Sequence, residues 1–315
     1  MRTCVNGRDA VRNTPSEAAI RGEFGIMTVI QALLLGIIQG ITSAIPVSSS
    51  GHVVLAGSWM GLNADLSMKL LVYLHLGTLA AVIWSFRREL KKIIRALIGM
   101  IRDILTDVRI FFRNAVSKEK QRYIPVIQGN VRHAALFLTV STCVTALIGL
   151  LFRGAAESTA SNLLITAMGF FVTALLLFVS AYTPGKKRDL TSISTGQAII
   201  VGAFQGLSVI PGISRLAMVL TSEDLLGFSR KTAVGCAYML AVPSIIGAFL
   251  MEMREPGVVS IREIGVLPVI IGILVSAFVC LITIRIMRRR LRSASRKGFA
   301  VYCVAAGILS VFTYM

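Results

Sequence analysis

Six apolar runs, at about residues 68–86, 133–152, 161–182, 232–251, 265–286 and 298–314, stand out along the chain. Each is long enough for a helix to cross the ~30 Å hydrocarbon layer of a bilayer, so they predict spanning helices. Two further apolar stretches, 27–60 and 196–227, are broken near their middles. The first is interrupted by Ile45-Pro46-Val47-Ser48-Ser49-Ser50-Gly51 and the second by Pro211-Gly212-Ile213-Ser214. Broken helices at membrane depth leave backbone groups unpaired and persist only where protein or a wet cavity satisfies them. These two stretches are therefore where function is expected.

The polar positions between the runs set the topology. Arg87 to Arg122 holds eleven Lys/Arg against four acids, a strongly cytoplasmic mark under the positive-inside rule. Its Ile93, Ile94, Leu97, Ile98, Ile101, Ile104 and Leu105 recur at helical spacing, which predicts a helix lying flat on the inner leaflet. Gly185-Lys186-Lys187-Arg188, Arg230-Lys231 and Arg288-Arg289-Arg290-Leu291-Arg292 are further cytoplasmic marks. Counting crossings makes each half a re-entrant helix pair followed by three transmembrane helices, the second half inverted relative to the first. The fold class expected is thus an all-α polytopic membrane protein with an inverted repeat. Two motifs support the repeat: Gly36-Ile37-Ile38-Gln39-Gly40-Ile41-Thr42 matches Gly202-Ala203-Phe204-Gln205-Gly206-Leu207-Ser208, and Pro46 and Pro211 follow within one residue of register. The expected division is 27–182 for the first repeat, including the basic linker 87–122, and 190–315 for the second. Residues 1–26 carry mixed charge and lack the apolar core of a signal peptide. They read as a poorly ordered lead, with Met27 as an alternative start.

Composition agrees. Of 315 residues, 55% are hydrophobic and only 15% charged, against about 45–50% and 25% for a soluble domain. The net charge of +18 sits between apolar runs, which suits anionic lipid as a partner and gives no case for nucleic acid. Cys4, Cys143, Cys236, Cys280 and Cys303 are scattered without metal or disulfide spacing.

Where two broken helices meet, free N–H groups and half-helix dipoles favour an anion. The first break supplies Ser48, Ser49 and Ser50, a closely approachable Gly51, and His52; the second supplies Ser214 and Arg215. Arg215 lies in an apolar stretch, an expensive position for a charge, and its planar fork suits phosphate. His52 follows the serines and is the histidine expected to act as nucleophile or general acid. His75 and His133 read as packing or interface positions. Gln39 and Gln205 precede the breaks, where each either binds ligand or mends freed backbone groups.

With these residues assembled, the chain resembles the undecaprenyl-diphosphate phosphatase, or bacitracin-resistance, family. The motifs that carry the resemblance are Pro46-Val47-Ser48-Ser49-Ser50-Gly51-His52, Leu74-His75-Leu76-Gly77-Thr78-Leu79, Pro211-Gly212-Ile213-Ser214-Arg215 and Gly227-Phe228-Ser229-Arg230-Lys231-Thr232-Ala233. The resemblance implies a plasma-membrane phosphatase, its site facing outward, that removes the terminal phosphate from the polyprenyl carrier of cell-wall synthesis. It further implies support by a divalent cation, magnesium or calcium. On that reading His52, Arg215 and Ser49 are catalytic, and Ser48, Ser50, Gly51, Ser214 and Gln39 bind substrate. The chain departs from the family's pattern at Ser43, where a catalytic carboxylate is usual, at Leu71, where an aspartate is common, and at Leu216-Ala217, where Ser-Gly is usual. Glu223 and Asp224 are extra acids about nine residues beyond Arg215, on the order of 13 Å along a helix, and are not expected to replace the missing one. The competing reading is a non-catalytic protein that binds or translocates polyprenyl phosphate. The sequence does not decide between a monomer and a homodimer.

Overall fold

The protein's computed structural model describes residues 27–117, 120–159, 162–183, 188, 194–253, 261–293 and 295–315. The expected lead at 1–26 and the basic mark at 185–187 lie outside them.

The first broken stretch is α1 (Val29–Thr42) and α2 (Ser49–Trp59), followed by α3 (Ala64–Ser85). α4 (Arg87–Val116) is the basic linker, then come α5 (Gly129–Thr159) and α6 (Leu163–Tyr182). A second broken stretch opens the second half of the chain. α7 (Thr195–Gly206), a short 3-10 turn (Leu207–Val209) and α8 (Arg215–Leu225) form the second broken stretch. α9 (Arg230–Glu252), a one-turn α10 (Ile261–Ile264), α11 (Val266–Ser293) and α12 (Lys297–Tyr314) complete the chain. Among the described residues, six helices are long and apolar enough to span: α3, α5, α6, α9, α11 and α12. They coincide with the six runs, and the protein is an all-α, multi-pass membrane protein.

Packing is reciprocal between the halves. α1 packs on α11, α7 on α5, and α6 on α12; α3 and α9 also touch each other. The paired GxxQG motifs explain the first two crossings. A Cβ on Gly36 would stand 3.0 Å from the Gly272 carbonyl oxygen, and one on Gly40 2.9 Å from that of Ser276. On α7, Gly202 abuts the Ser141 carbonyl, and a Cβ on Gly206 would lie 3.2 Å from that of Thr145. Small residues four apart let backbones approach where lipid supplies no hydrophobic drive to association.

Side chains from neighbouring helices satisfy the backbone freed at the breaks. Tyr238 on α9 donates its hydroxyl to the Ala44 carbonyl at 2.6 Å in the first break. Thr173 on α6 donates to the Gly212 carbonyl at 2.9 Å and accepts from the Ser214 N–H at 2.9 Å in the second. A glycine crossing brings the breaks together: a Cβ on Gly51 would meet Gly212 Cα at 3.1 Å and the Phe170 ring at 2.7 Å.

α4 lies against α5, with Asp103 paired to Arg132 at 2.7 Å. Its Ile94, Ile98, Ile101 and Leu105 remain exposed on the opposite side, as the amphipathic pattern requires.

At the far end of α8, Asp224 pairs with Arg296 and accepts from Ser180 Oγ at 2.6 Å. The Asp224 and Arg296 side chains are only 2% and 1% exposed. Removing one partner of a buried pair strands the other charge at a cost of about 3–5 kcal/mol. Arg296→Ala is therefore expected to lower the thermal midpoint in detergent markedly, whereas Arg285→Ala on the exposed basic face is expected to leave it nearly unchanged.

Candidate functional site

A cavity of about 200 Å³ opens where the two breaks meet α3 and α9. Ser48, Ser49 and Ser50 line it from the first break, Ser214 and Arg215 from the second. Serine caps create both local structures. Ser48 caps α2 by accepting from the Gly51 N–H at 3.4 Å, and Ser214 caps α8 by accepting from the Ala217 N–H at 3.3 Å. The first turns of both helices thus border one cavity, and both contribute the positive end of a helix dipole to it. Among the described residues, no hydrogen bond or ion pair engages the Arg215 guanidinium. A fixed positive charge, two helix N-termini and four serine hydroxyls make the polar end of the cavity an anion site. Part of the remaining wall is apolar, with Val209, Ile213, Ile245, Ala248 and Phe249, so the site suits an anion carried on a lipid.

Three residues expected at the site, Gln39, Gly51 and His52, are not among those lining the cavity. Gln39 is fully buried on α1, and both its amide atoms lack a partner. Its counterpart Gln205 is satisfied, donating to the Leu240 carbonyl at 3.1 Å and accepting from Thr145 Oγ1 at 3.2 Å. Gly51 serves the glycine crossing. His52 faces α6 and α12, edge-on to Phe170 at 4.9 Å and stacked on Tyr302 at 5.5 Å between centroids. Its Nδ1 donates to the Ser48 carbonyl at 2.6 Å, which leaves Nε2 to accept from the Tyr302 hydroxyl at 2.8 Å. Ser48 has φ 69°, a left-handed conformation rare outside glycine, with a cost of order 1–3 kcal/mol that its surroundings must hold. The hydrogen bond from His52 clamps that strained turn.

His75, read from the sequence as a packing or interface position, lines the cavity from α3 together with Arg215. Leu71, one turn earlier, lines the same wall, as residues four apart on a helix do. Ser43, Leu71 and Leu216 all border the cavity. Ser43 Oγ is buried there without a partner. Glu223 and Asp224 do not line the cavity.

The expected divalent cation can be tested against these residues. A hard cation takes several oxygen ligands, normally including carboxylates. Among the described lining residues there is no Asp or Glu, and Arg215 already supplies a fixed positive charge. No group of three His, Cys, Asp or Glu side chains with metal-binding geometry occurs among the described residues. The donor set does not fit a resident magnesium or calcium ion.

Fold and site together define a multi-pass membrane protein with an intramembrane anion cavity built from two broken helices. The chain belongs to the family of bacitracin resistance protein BacA, whose family model matches residues 32–309. It is similar to proteins named undecaprenyl-diphosphatase. That of Alkaliphilus metalliredigens is 30% identical over 90% of this chain and 98% of its own length. That of Moorella thermoacetica is 31% identical over 91% and 98%, and that of Methanobrevibacter smithii 29% identical over 90% and 96%.

Proposed function

We propose that this protein is an integral membrane phosphatase that hydrolyses undecaprenyl diphosphate to undecaprenyl phosphate and inorganic phosphate, recycling the lipid carrier of cell-wall synthesis. The observation that carries the reading is the convergence of α2 and α8, each by its N-terminal turn, on one cavity that holds Arg215. A diphosphate ester matches both ends of that cavity: phosphate oxygens at the serines and guanidinium, isoprenoid carbons along Ile213, Ile245 and Phe249.

In this reading Arg215 grips the terminal phosphate with its fork and neutralises charge that builds during transfer. Ser49, Ser50 and Ser214 donate hydroxyl hydrogen bonds, and Ser48 shapes the turn that presents them. His52 is a positioning residue that holds the Ser48 carbonyl. We place the enzyme in the plasma membrane with the two halves inverted and the cavity facing outward. The basic runs, which favour the cytoplasmic side, support this orientation, with α4 resting its apolar face on the inner leaflet.

The test is direct. Purified protein in detergent, given undecaprenyl diphosphate, is expected to release one phosphate per lipid as undecaprenyl phosphate accumulates. Binding of the lipid without any release would instead make the protein a carrier of polyprenyl phosphates.

A further inference from the structure

This inference rests on the phosphatase reading and deepens it. Attack of water on the phosphoric anhydride of a diphosphate is helped by a group that takes the proton water sheds, and a carboxylate in the cavity would be the obvious one. Here the described wall holds no carboxylate, and hydroxyl and alkyl groups such as Ser43 and Leu71 stand in it. Only three lining side chains among the described residues can titrate: His75, Arg215 and Tyr238. Arg215 stays charged. The Tyr238 hydroxyl already donates to the Ala44 carbonyl. Of the three, only the imidazole has a nitrogen lone pair free to take up a proton.

Its tautomer is set by the fold. His75 Nδ1 lies 2.8 Å from the Leu71 carbonyl, and since a carbonyl only accepts, the ring proton sits on Nδ1 when the imidazole is neutral. Nε2 is left with its lone pair. No lining residue comes from α11, and the lining parts of α1 and α2 bring hydroxyl groups only. The groups facing His75 across the cavity that carry or change charge are therefore Arg215 on α8 and Tyr238 on α9.

We propose that His75 is the general acid–base of the reaction, a catalytic role for the one imidazole among the described lining residues. Nε2 removes a proton from water as the water oxygen bonds to the terminal phosphorus. The bond from that phosphorus to the bridging oxygen breaks, and its electron pair leaves on undecaprenyl phosphate beside Arg215. The proton on His75 then passes to the departing oxygen or to solvent, which returns the neutral ring.

The experiment compares wild type with His75→Gln, which keeps a polar side chain and removes the base. Phosphate release is measured from pH 3 to 9 in EDTA, alongside the thermal midpoint and the affinity for undecaprenyl phosphate. Wild type is expected to work in EDTA, with a rate that rises with pH on the acid side through one proton. His75→Gln is expected to lose about 10²–10³-fold in kcat, within the range of a general base, with midpoint and product affinity unchanged and the acid limb gone. A variant with wild-type kcat would overturn the proposal. So would a loss that keeps the wild-type pH profile or comes with lost product binding, since either marks a structural role. Wild type active only with added cation would also overturn it while leaving the phosphatase reading intact. Wild type inactive under every condition would remove the phosphatase reading and this inference with it.

Discussion

Arg215→Ala is expected to slow phosphate release from undecaprenyl diphosphate by roughly 10³-fold or more, the scale of a charge-stabilising arginine in phosphoryl transfer. The reason is the composition of the cavity. Arg215 is the only permanent cation among the described lining residues, and no carboxylate is present there to bring in a metal that could share its work. Its guanidinium is uncommitted, so it is available to substrate. Arg215→Lys is expected to recover only part of the loss, because an ammonium keeps the charge and forfeits the two-pronged grip. Steady-state kinetics on folded, detergent-purified variants checks both. An alanine variant within tenfold of wild type would mean that charge neutralisation resides elsewhere.

The second large effect is expected from a residue that never touches substrate. Gly212 has φ 85°, and a Cβ there would overlap the Thr166 carbonyl and stand 2.9 Å from Gly169 Cα and 3.0 Å from the Phe170 nitrogen. All three neighbours are backbone on α6 and cannot turn aside. The unfavourable φ costs about 1–2 kcal/mol and overpacking about 1–3 kcal/mol. Gly212→Ala is expected to lower stability by their sum, about 2–5 kcal/mol. Because Gly212 lies three residues before Arg215, relief of the clash displaces the N-terminus of α8. A shift of ~1 Å costs on the order of 10²-fold in rate, so activity falls even in the folded fraction. Gly235→Ala is the control: a Cβ there meets nothing within 4 Å, and both stability and rate are expected to stay near wild type.

Much of this architecture could be read from sequence because lipid is a demanding solvent. A helix has to stay apolar for the full hydrocarbon thickness, so α3, α5, α6, α9, α11 and α12 each left an unbroken run, while the two breaks stood out as interruptions. The clustering of Ser48, Ser49, Ser50, Ser214 and Arg215 was legible for the same reason: polar residues at that depth need a wet or protein-lined cavity. What the sequence could not supply was the direction in which a side chain faces. His52 was favoured by its nearness to the serines. In α2 its ring instead folds back onto the Ser48 carbonyl and toward α12, some 250 residues away in the chain. His75 reaches the cavity from a different helix, and its place in the Leu74-His75-Leu76-Gly77-Thr78-Leu79 motif was the sign of it in the sequence. The GxxQG repeat was visible, yet its glycines serve the α1–α11 and α7–α5 crossings, contacts set by distant carbonyls. Likewise the extra acid Asp224 gave no sign of its partner Arg296, 72 residues further on.

The convergence of both breaks on one phosphate is tested most directly by a structure with a non-hydrolysable diphosphate bound, such as a polyprenyl methylene-bisphosphonate. Its terminal phosphonate is predicted to sit between the first turns of α2 and α8, held by Arg215 and facing His75. Finding it instead beside His52 between α6 and α12, or along the basic stretch from Arg285 to Arg292, would contradict the account.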